Sequence, residues 1–141
     1  MSEPDEATIA LLSHVALFAG CDHAELAKVA ELMTDSWVNA GADVTAQGQP
    51  GNAAFVIVEG VARVEANGQE LARLGAGDFF GEVALLDGGP RTATVVAESP
   101  ILVLSLNESQ LQKLVSEVPP VALAMLRELA RRLRNVEAML I

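Results

Sequence analysis

Cysteine is nearly absent from this chain. Cys21 stands alone, so no disulfide can close within it, and a reducing compartment such as the cytoplasm is the expected setting. Alone, it reads as a small structural hydrophobe rather than a reactive thiol. Long apolar runs are missing too. No stretch approaches the roughly 18 residues that would cross a bilayer, and the opening MSEPDEATIALL is acidic where a secretory leader would be basic. No membrane association is expected. Positive charge is scarce: 9 Lys and Arg face 19 Asp and Glu, for a net charge of −10. Phosphate contacts dominate affinity for duplex nucleic acid, so DNA binding by this chain alone is not expected. Histidine occurs only at His14 and His23, both in the N-terminal part. That leaves no metal site, and Cys21 and His23 lie too close along one turn to act as nucleophile and oriented base. No internal repeat or low-complexity tract appears. The chain reads as a binding module, not an enzyme.

What is present suits one domain. Half of the 141 residues are apolar and a fifth are charged, enough for a core of its own. The charge is uneven: four Arg and two Glu from Arg127 onward give +2, so the rest carries −12. The basic end reads as the solvated face of a helix.

The hydrophobic period divides the chain into a helical segment over 1–36, a strand-rich segment over 37–106 and a second helical segment over 107–141. In the first, Leu11, Leu12, Val15 and Phe18 precede Gly20, and Asp22 with Glu25 makes a capping box for a helix whose apolar side is Leu26, Val29, Ala30 and Met33. In the second, short β-branched and apolar runs alternate with glycines. Asn67-Gly68 lies between two alternating runs, the strongest short hairpin signal, and Trp37 is expected in the core where the strands begin. Many short strands with regular turns predict a jelly roll or β-roll. In the third, Asn107 and Gln110 form another capping pair. Leu111, Leu114, Val115 and Val118 give the apolar face, and Pro119-Pro120 stops one helix and starts the next. Leu126, Leu129, Leu133, Val136 and Leu140 then follow at heptad spacing. That seam serves either packing on the roll or a helix pair across a homodimer.

The run FFGEVALLDGGPRTAT, residues 79–94, fits none of these patterns. Gly81 permits close backbone approach. Glu82 to Leu86 suits a single helical turn whose free amides attract an anion, and Ala84 keeps its side chain clear. Asp87 reads as a turn residue. Arg91 follows a proline and can fork onto phosphate oxygens. Glu82 would repel a phosphate but can accept from a sugar hydroxyl. A ribose joined to a singly charged phosphate meets both demands. A buried ion bridge between Glu82 and Arg91 is the structural alternative.

FGEVALLDGGPRTATVVA resembles the phosphate-binding cassette, here 80–94, of the cyclic nucleotide-binding domain family. This is the family of catabolite activator protein and of cyclic AMP-dependent protein kinase regulatory subunits. LLSHVALFAGCDHAELAKVAELM resembles its N-terminal helices and VTAQGQPGNAAFVIVEGVARV its first strand pairs. The resemblance implies an α+β fold: an antiparallel double-stranded β-roll flanked by N-terminal helices and a C-terminal lid and C-helix. It implies that Glu82 binds the ribose 2′-hydroxyl and Arg91 the cyclic phosphate. The amides of Val83, Ala84 and Leu85 assist, and Gly81 admits the sugar. Phe80 and Ala93, within the cassette, also contact the ligand, and Val64 and Leu74 wall the base. Thr92 sits where a hydroxyl reaches guanine in some cyclic GMP receptors, but bacterial members tolerate it, which places cyclic AMP ahead of cyclic GMP. Leu129, Arg132 and Leu133 are candidate lid residues. Val136 and Glu137 stand where the activator carries polar hydroxyl residues, so that adenine contact is not carried over. No cofactor or metal is implied. The expected partners are a cyclic nucleotide, a second copy through the C-terminal helix, and an effector protein or a further domain, since no helix-turn-helix follows. The alternative function is a ligand-free module that acts through the heptad seam.

Overall fold

A computed structural model describes residues 6–81, 85 and 88–139, the last as backbone only. Helices α1 (Glu6–Ser13) and α2 (His23–Leu32) flank a short 3-10 turn, Ala16–Phe18. Eight strands follow: β1 (Thr34–Val38), β2 (Asp43–Thr45), β3 (Ala54–Glu59), β4 (Ala62–Ala66), β5 (Gln69–Leu74), β6 (Phe79–Phe80), β7 (Thr94–Ala97) and β8 (Ile101–Leu106). Helices α3 (Glu108–Glu117) and α4 (Pro119–Met139) complete the described chain.

The strands form two antiparallel four-stranded sheets, ordered β1-β8-β3-β6 and β2-β7-β4-β5. The first sheet is apolar on both faces. Ile57, Ile101 and Val103 face the second sheet with Ala62, Val95 and Ala97. Val56, Val58, Leu102, Leu104 and Leu106 face the helices, where they pack with Phe18, Val29, Leu114 and Val121. Burial on both sides explains why β3 and β8 read as nearly unbroken apolar runs.

Local signals hold where the physics is local. Asp22 Oδ1 accepts from the Glu25 amide at 2.8 Å, and the Glu25 carboxylate accepts from the Asp22 amide at 3.0 Å. Asn107 and Gln110 repeat the pattern at 2.9 and 2.7 Å. Asn67 and Gly68 take φ of 53° and 78° between β4 and β5, the left-handed pair that a type I′ hairpin turn requires.

Two expectations about burial need correction, and one of two alternatives for the heptad seam loses support. Trp37 is not core: it lies on the edge strand β1 and is 60 % exposed. β1 opens at Thr34, ahead of the tryptophan, and among the described strands pairs with β8 alone. Val115 is exposed although Leu111 and Leu114 are buried. Most of the heptad seam does not pack on the roll. Leu126, Leu133 and Val136 are exposed, and only Leu129 among the described seam residues lies against the core. The core-facing side of α4 is set instead by Val121, Ala124, Met125 and Leu129. Leu140 lies outside the described residues.

Candidate functional site

A cavity of about 550 Å³ opens between the β4–β5 hairpin, the run from β6 into Gly81, the Arg91–Ala93 segment and α4. Val64 and Leu74 form its hairpin wall, partly buried and packed against the intersheet core. Phe80, Gly81, Arg91, Thr92 and Ala93 line it from the cassette, and Leu129 and Arg132 from α4. Nine residues singled out in the sequence thus surround one space.

Arg91 is the polar residue most firmly built into that wall. It is only 7 % exposed. Its Nη1 donates to the Gly81 carbonyl at 3.1 Å, and its guanidinium carbon lies 5.7 Å from the centroid of the Phe55 ring. Phe55 in turn stacks on Phe80, with centroids 5.2 Å apart. The Arg91 backbone is fixed on both sides: its amide donates to Gln49 O at 2.8 Å and its carbonyl accepts from the Gly48 amide at 2.9 Å. A bridge between Pro50 and Pro90 extends this pairing. An arginine held so firmly has little rotamer entropy left to lose.

Gly81 has a sharper reason to be glycine than sugar access. Its φ is +83°, and an added Cβ would fall 2.7 Å from Arg91 Nη1 and 3.1 Å from the Ala53 carbonyl oxygen. Only a residue without a Cβ lets the arginine approach this carbonyl. Leu85 donates its amide to Gly81 O at 3.4 Å, a helical i→i−4 bond. Its side chain is buried in the helix-facing core and borders a separate groove of about 240 Å³ against α3. Glu82, Val83, Ala84, Leu86 and Asp87 lie outside the described residues, and the ion-bridge alternative for Glu82 lies there with them.

The far end of the cavity is held by side chains of α4. Arg132 Nη2 donates to the Phe79 carbonyl at 2.7 Å, and its guanidinium lies 4.5 Å from the centroid of the Phe79 ring. Its Nε donates to Glu128 at 3.2 Å. Glu128 also accepts from Arg131 Nε at 3.0 Å. The Arg131 hydrogen bond, reinforced by Arg132, holds the Glu128 carboxyl below the usual carboxylate range. Leu133, offered with Arg132 as a lid residue, is 59 % exposed and does not line the cavity.

Sequence reasoning passed over Thr45, Ala72, Asp78, Phe79 and Glu128, which also line the space. Glu128 precedes Arg131 and Arg132 by three and four residues, a helical ion-pair spacing that was there to be found. Phe79 and Arg132, 53 positions apart, carry no such signal. Among the described residues no cluster of His, Cys, Asp and Glu could hold a metal. His23 is engaged with Glu6 instead, its Nε2 lying 3.1 Å from the carboxylate. No described helix is long and apolar enough to cross a membrane.

A β-roll with a buried arginine on the wall of a cavity, and a helix laid beside it, has the chemistry to suit a small anionic ligand. The chain belongs to the cyclic nucleotide-binding domain family, whose model matches residues 36–118, more than half its length. A cyclic GMP-dependent protein kinase of Caenorhabditis briggsae is 35 % identical over 117 residues, covering 78 % of this chain and 16 % of the kinase. A CRP-like cyclic AMP-activated global transcriptional regulator of Mycobacterium tuberculosis is 29 % identical over 130 residues, covering 89 % of this chain and 58 % of the regulator. Among solved structures, the catabolite activator protein of Thermus thermophilus superposes with a TM-score of 0.80 at 33 % identity, covering 88 % of this chain and 61 % of that one. The chain therefore spans less than two thirds of these relatives. Its fold is the β-roll they share, and the family is a regulatory, ligand-binding one without catalytic residues of its own.

Proposed function

We propose that this domain is a receptor for cyclic AMP, ahead of cyclic GMP. The carrying observation is Arg91: buried, fixed through its backbone, and set on the wall of a nucleotide-sized cavity. In this reading the cyclic phosphate takes the Arg91 fork and the amides of Val83, Ala84 and Leu85. Glu82 accepts from the ribose 2′-hydroxyl. Val64 and Leu74 contact the base, and Leu129 and Arg132 cover it from α4. Thr92, exposed at the cavity edge, offers a hydroxyl to a guanine amino group, and this is the one feature that favours cyclic GMP. The two relatives named for opposite nucleotides make that choice an experimental one.

Binding acts as a population shift. Phosphate competes with the Gly81 carbonyl for Arg91, the cassette orders, and α4 closes over the base. The output passes to an effector protein or to a further domain, in the cytoplasm. A second copy docks on the exposed Leu126, Leu133 and Val136 of α4. That apolar row also supports the second reading, a ligand-free interaction module.

Isothermal titration of the chain, stripped of nucleotide by unfolding and refolding, tests the proposal. Micromolar or tighter binding of cyclic AMP, and weaker binding of cyclic GMP, is expected. A folded sample that gives no heat with either nucleotide, and a dimer unaffected by them, would leave the interaction module as the function.

A further inference from the structure

The two walls of the cavity are tied together at a point outside it. Residues 46–50 form a strap between β2 and β3, and this strap is the backbone partner of Arg91 through Gly48 and Gln49. Gln47 anchors the strap twice. Its amide donates to Thr94 Oγ1 at 2.9 Å, which fixes it to the start of β7. Its side chain reaches the tip of the β4–β5 hairpin. There its Oε1 accepts from the Asn67 amide at 3.0 Å, and its Nε2 donates to Asn67 Oδ1 at 3.1 Å. Asn67 suits this role doubly. It takes φ of 53° in the turn, a conformation that asparagine tolerates better than most residues, and it presents both an amide and a side-chain oxygen to one carboxamide.

Beyond the β4–β7 ladder, whose end pair is Glu65 with Thr94, the clasp adds a second join between the hairpin that carries Val64 and Leu74 and the strap that positions Arg91. We propose that Gln47 is a positioning residue, one that sets the distance between the arginine and the hydrophobic wall and so makes the site recognise phosphate and base together. The inference rests on the reading of the cavity as a cyclic nucleotide site, and it adds a residue that touches no part of the ligand. Gln47 does not line the cavity. Its effect comes through geometry: a ligand that spans both walls feels the spacing, and one that touches a single wall does not.

That difference supplies the test. Gln47→Met, of similar volume and without hydrogen bonds, and Asn67→Gly, which keeps the left-handed turn and removes the side-chain acceptor, are titrated with cyclic AMP and with ribose 3′,5′-cyclic phosphate, which lacks the base. Restoring the wall spacing on binding costs at most the clasp's own hydrogen bonds, which predicts a cyclic AMP affinity weaker by up to about tenfold for Gln47→Met and up to about threefold for Asn67→Gly. The base-free probe, followed by NMR, should shift less than about twofold in either variant, since its phosphate contacts are untouched. Equal losses for both ligands would mean that Gln47 merely steadies Arg91, and unchanged affinity would mean the clasp has no part in binding. Either result overturns the inference while leaving the receptor in place. A wild-type chain that binds neither ligand overturns the receptor reading itself.

Discussion

Of the four arginines that line the cavity, Arg91 and Arg132 are held in parallel ways to different ends. Arg91 donates to the Gly81 carbonyl and lies over Phe55; Arg132 donates to the Phe79 carbonyl and lies over Phe79. Both therefore grip the same short run, residues 79–81. Arg91, however, is buried within the roll and fixed through its own backbone. Arg132 is half-buried on a helix and fixed by side chains, with Glu128 as an ionic neighbour. A site with one end set by sheet architecture and the other by side chains can hold the constant part of a ligand rigidly and adapt to the variable part. A phosphate is constant among cyclic nucleotides, and the base is not.

The sharpest way to break this comparison is to make the same change at both ends. Arg91→Lys should cost on the order of 2 kcal/mol of cyclic nucleotide affinity, because an ammonium cannot reproduce the fork. Arg132→Lys should cost about 0.5 kcal/mol, since a partly exposed charge contributes little. Titration of the two variants side by side checks the asymmetry, and equal losses would erase it. Next comes Gly81→Ala. Its φ of +83° and the 2.7 Å approach to Arg91 Nη1 should remove about 1–2 kcal/mol of stability and displace the arginine as well. Thermal unfolding without ligand and titration with it should both move. A change in stability alone would mean that Arg91 keeps its place without the carbonyl.

The smallest expected effect concerns the α4 end. Glu128 is held below its ordinary value, first by Arg131 and then by Arg132. Its folded-state value being depressed, its contribution is fully present above the unfolded value of about 4.3 and is lost as pH falls through the lowered folded value. Glu128→Gln should remove that acid-limb dependence and cost no more than about 1 kcal/mol at neutral pH, as expected of a partly exposed pair. Unfolding curves from pH 3 to 7, a range that brackets the ordinary carboxylate value of about 4.3, compare the two proteins. Identical slopes would remove Glu128 from the support of α4.

What could be read from the sequence followed from how far apart the interacting residues are. Both capping boxes and the Asn67-Gly68 turn depend on residues a few positions apart, and each is found where the pattern puts it. The two helices that meet at Pro119 were equally plain. Trp37 was misjudged because composition says nothing about edges: a strand paired on one side only can leave even a tryptophan in solvent. The heptad seam was legible as a seam, but not which way it faces, because Val121 and Met125 decide that by packing on the roll. At the site, the cassette motif identified Gly81 and Arg91. The reason for Gly81 became visible only when Arg91 Nη1 and the Ala53 carbonyl came together in space. Arg132 was named as a lid residue, while its hold on Phe79 lay beyond any local pattern.

The pairing of β8 bears on how the chain is made. Ile101–Leu106 is the partner of both β1 and β3, and it joins Thr34 to Ser105, residues 71 apart. During synthesis from the N-terminus, β1 has no sheet partner and β3 only the two residues of β6 until β8 emerges. The apolar run AFVIVE of β3 therefore keeps an unpaired edge while the chain grows from Glu59 to Ile101, the kind of segment that associates with copies of itself. A chain that ends before Ile101 lacks the strand on which both β1 and β3 pair and cannot complete its first sheet.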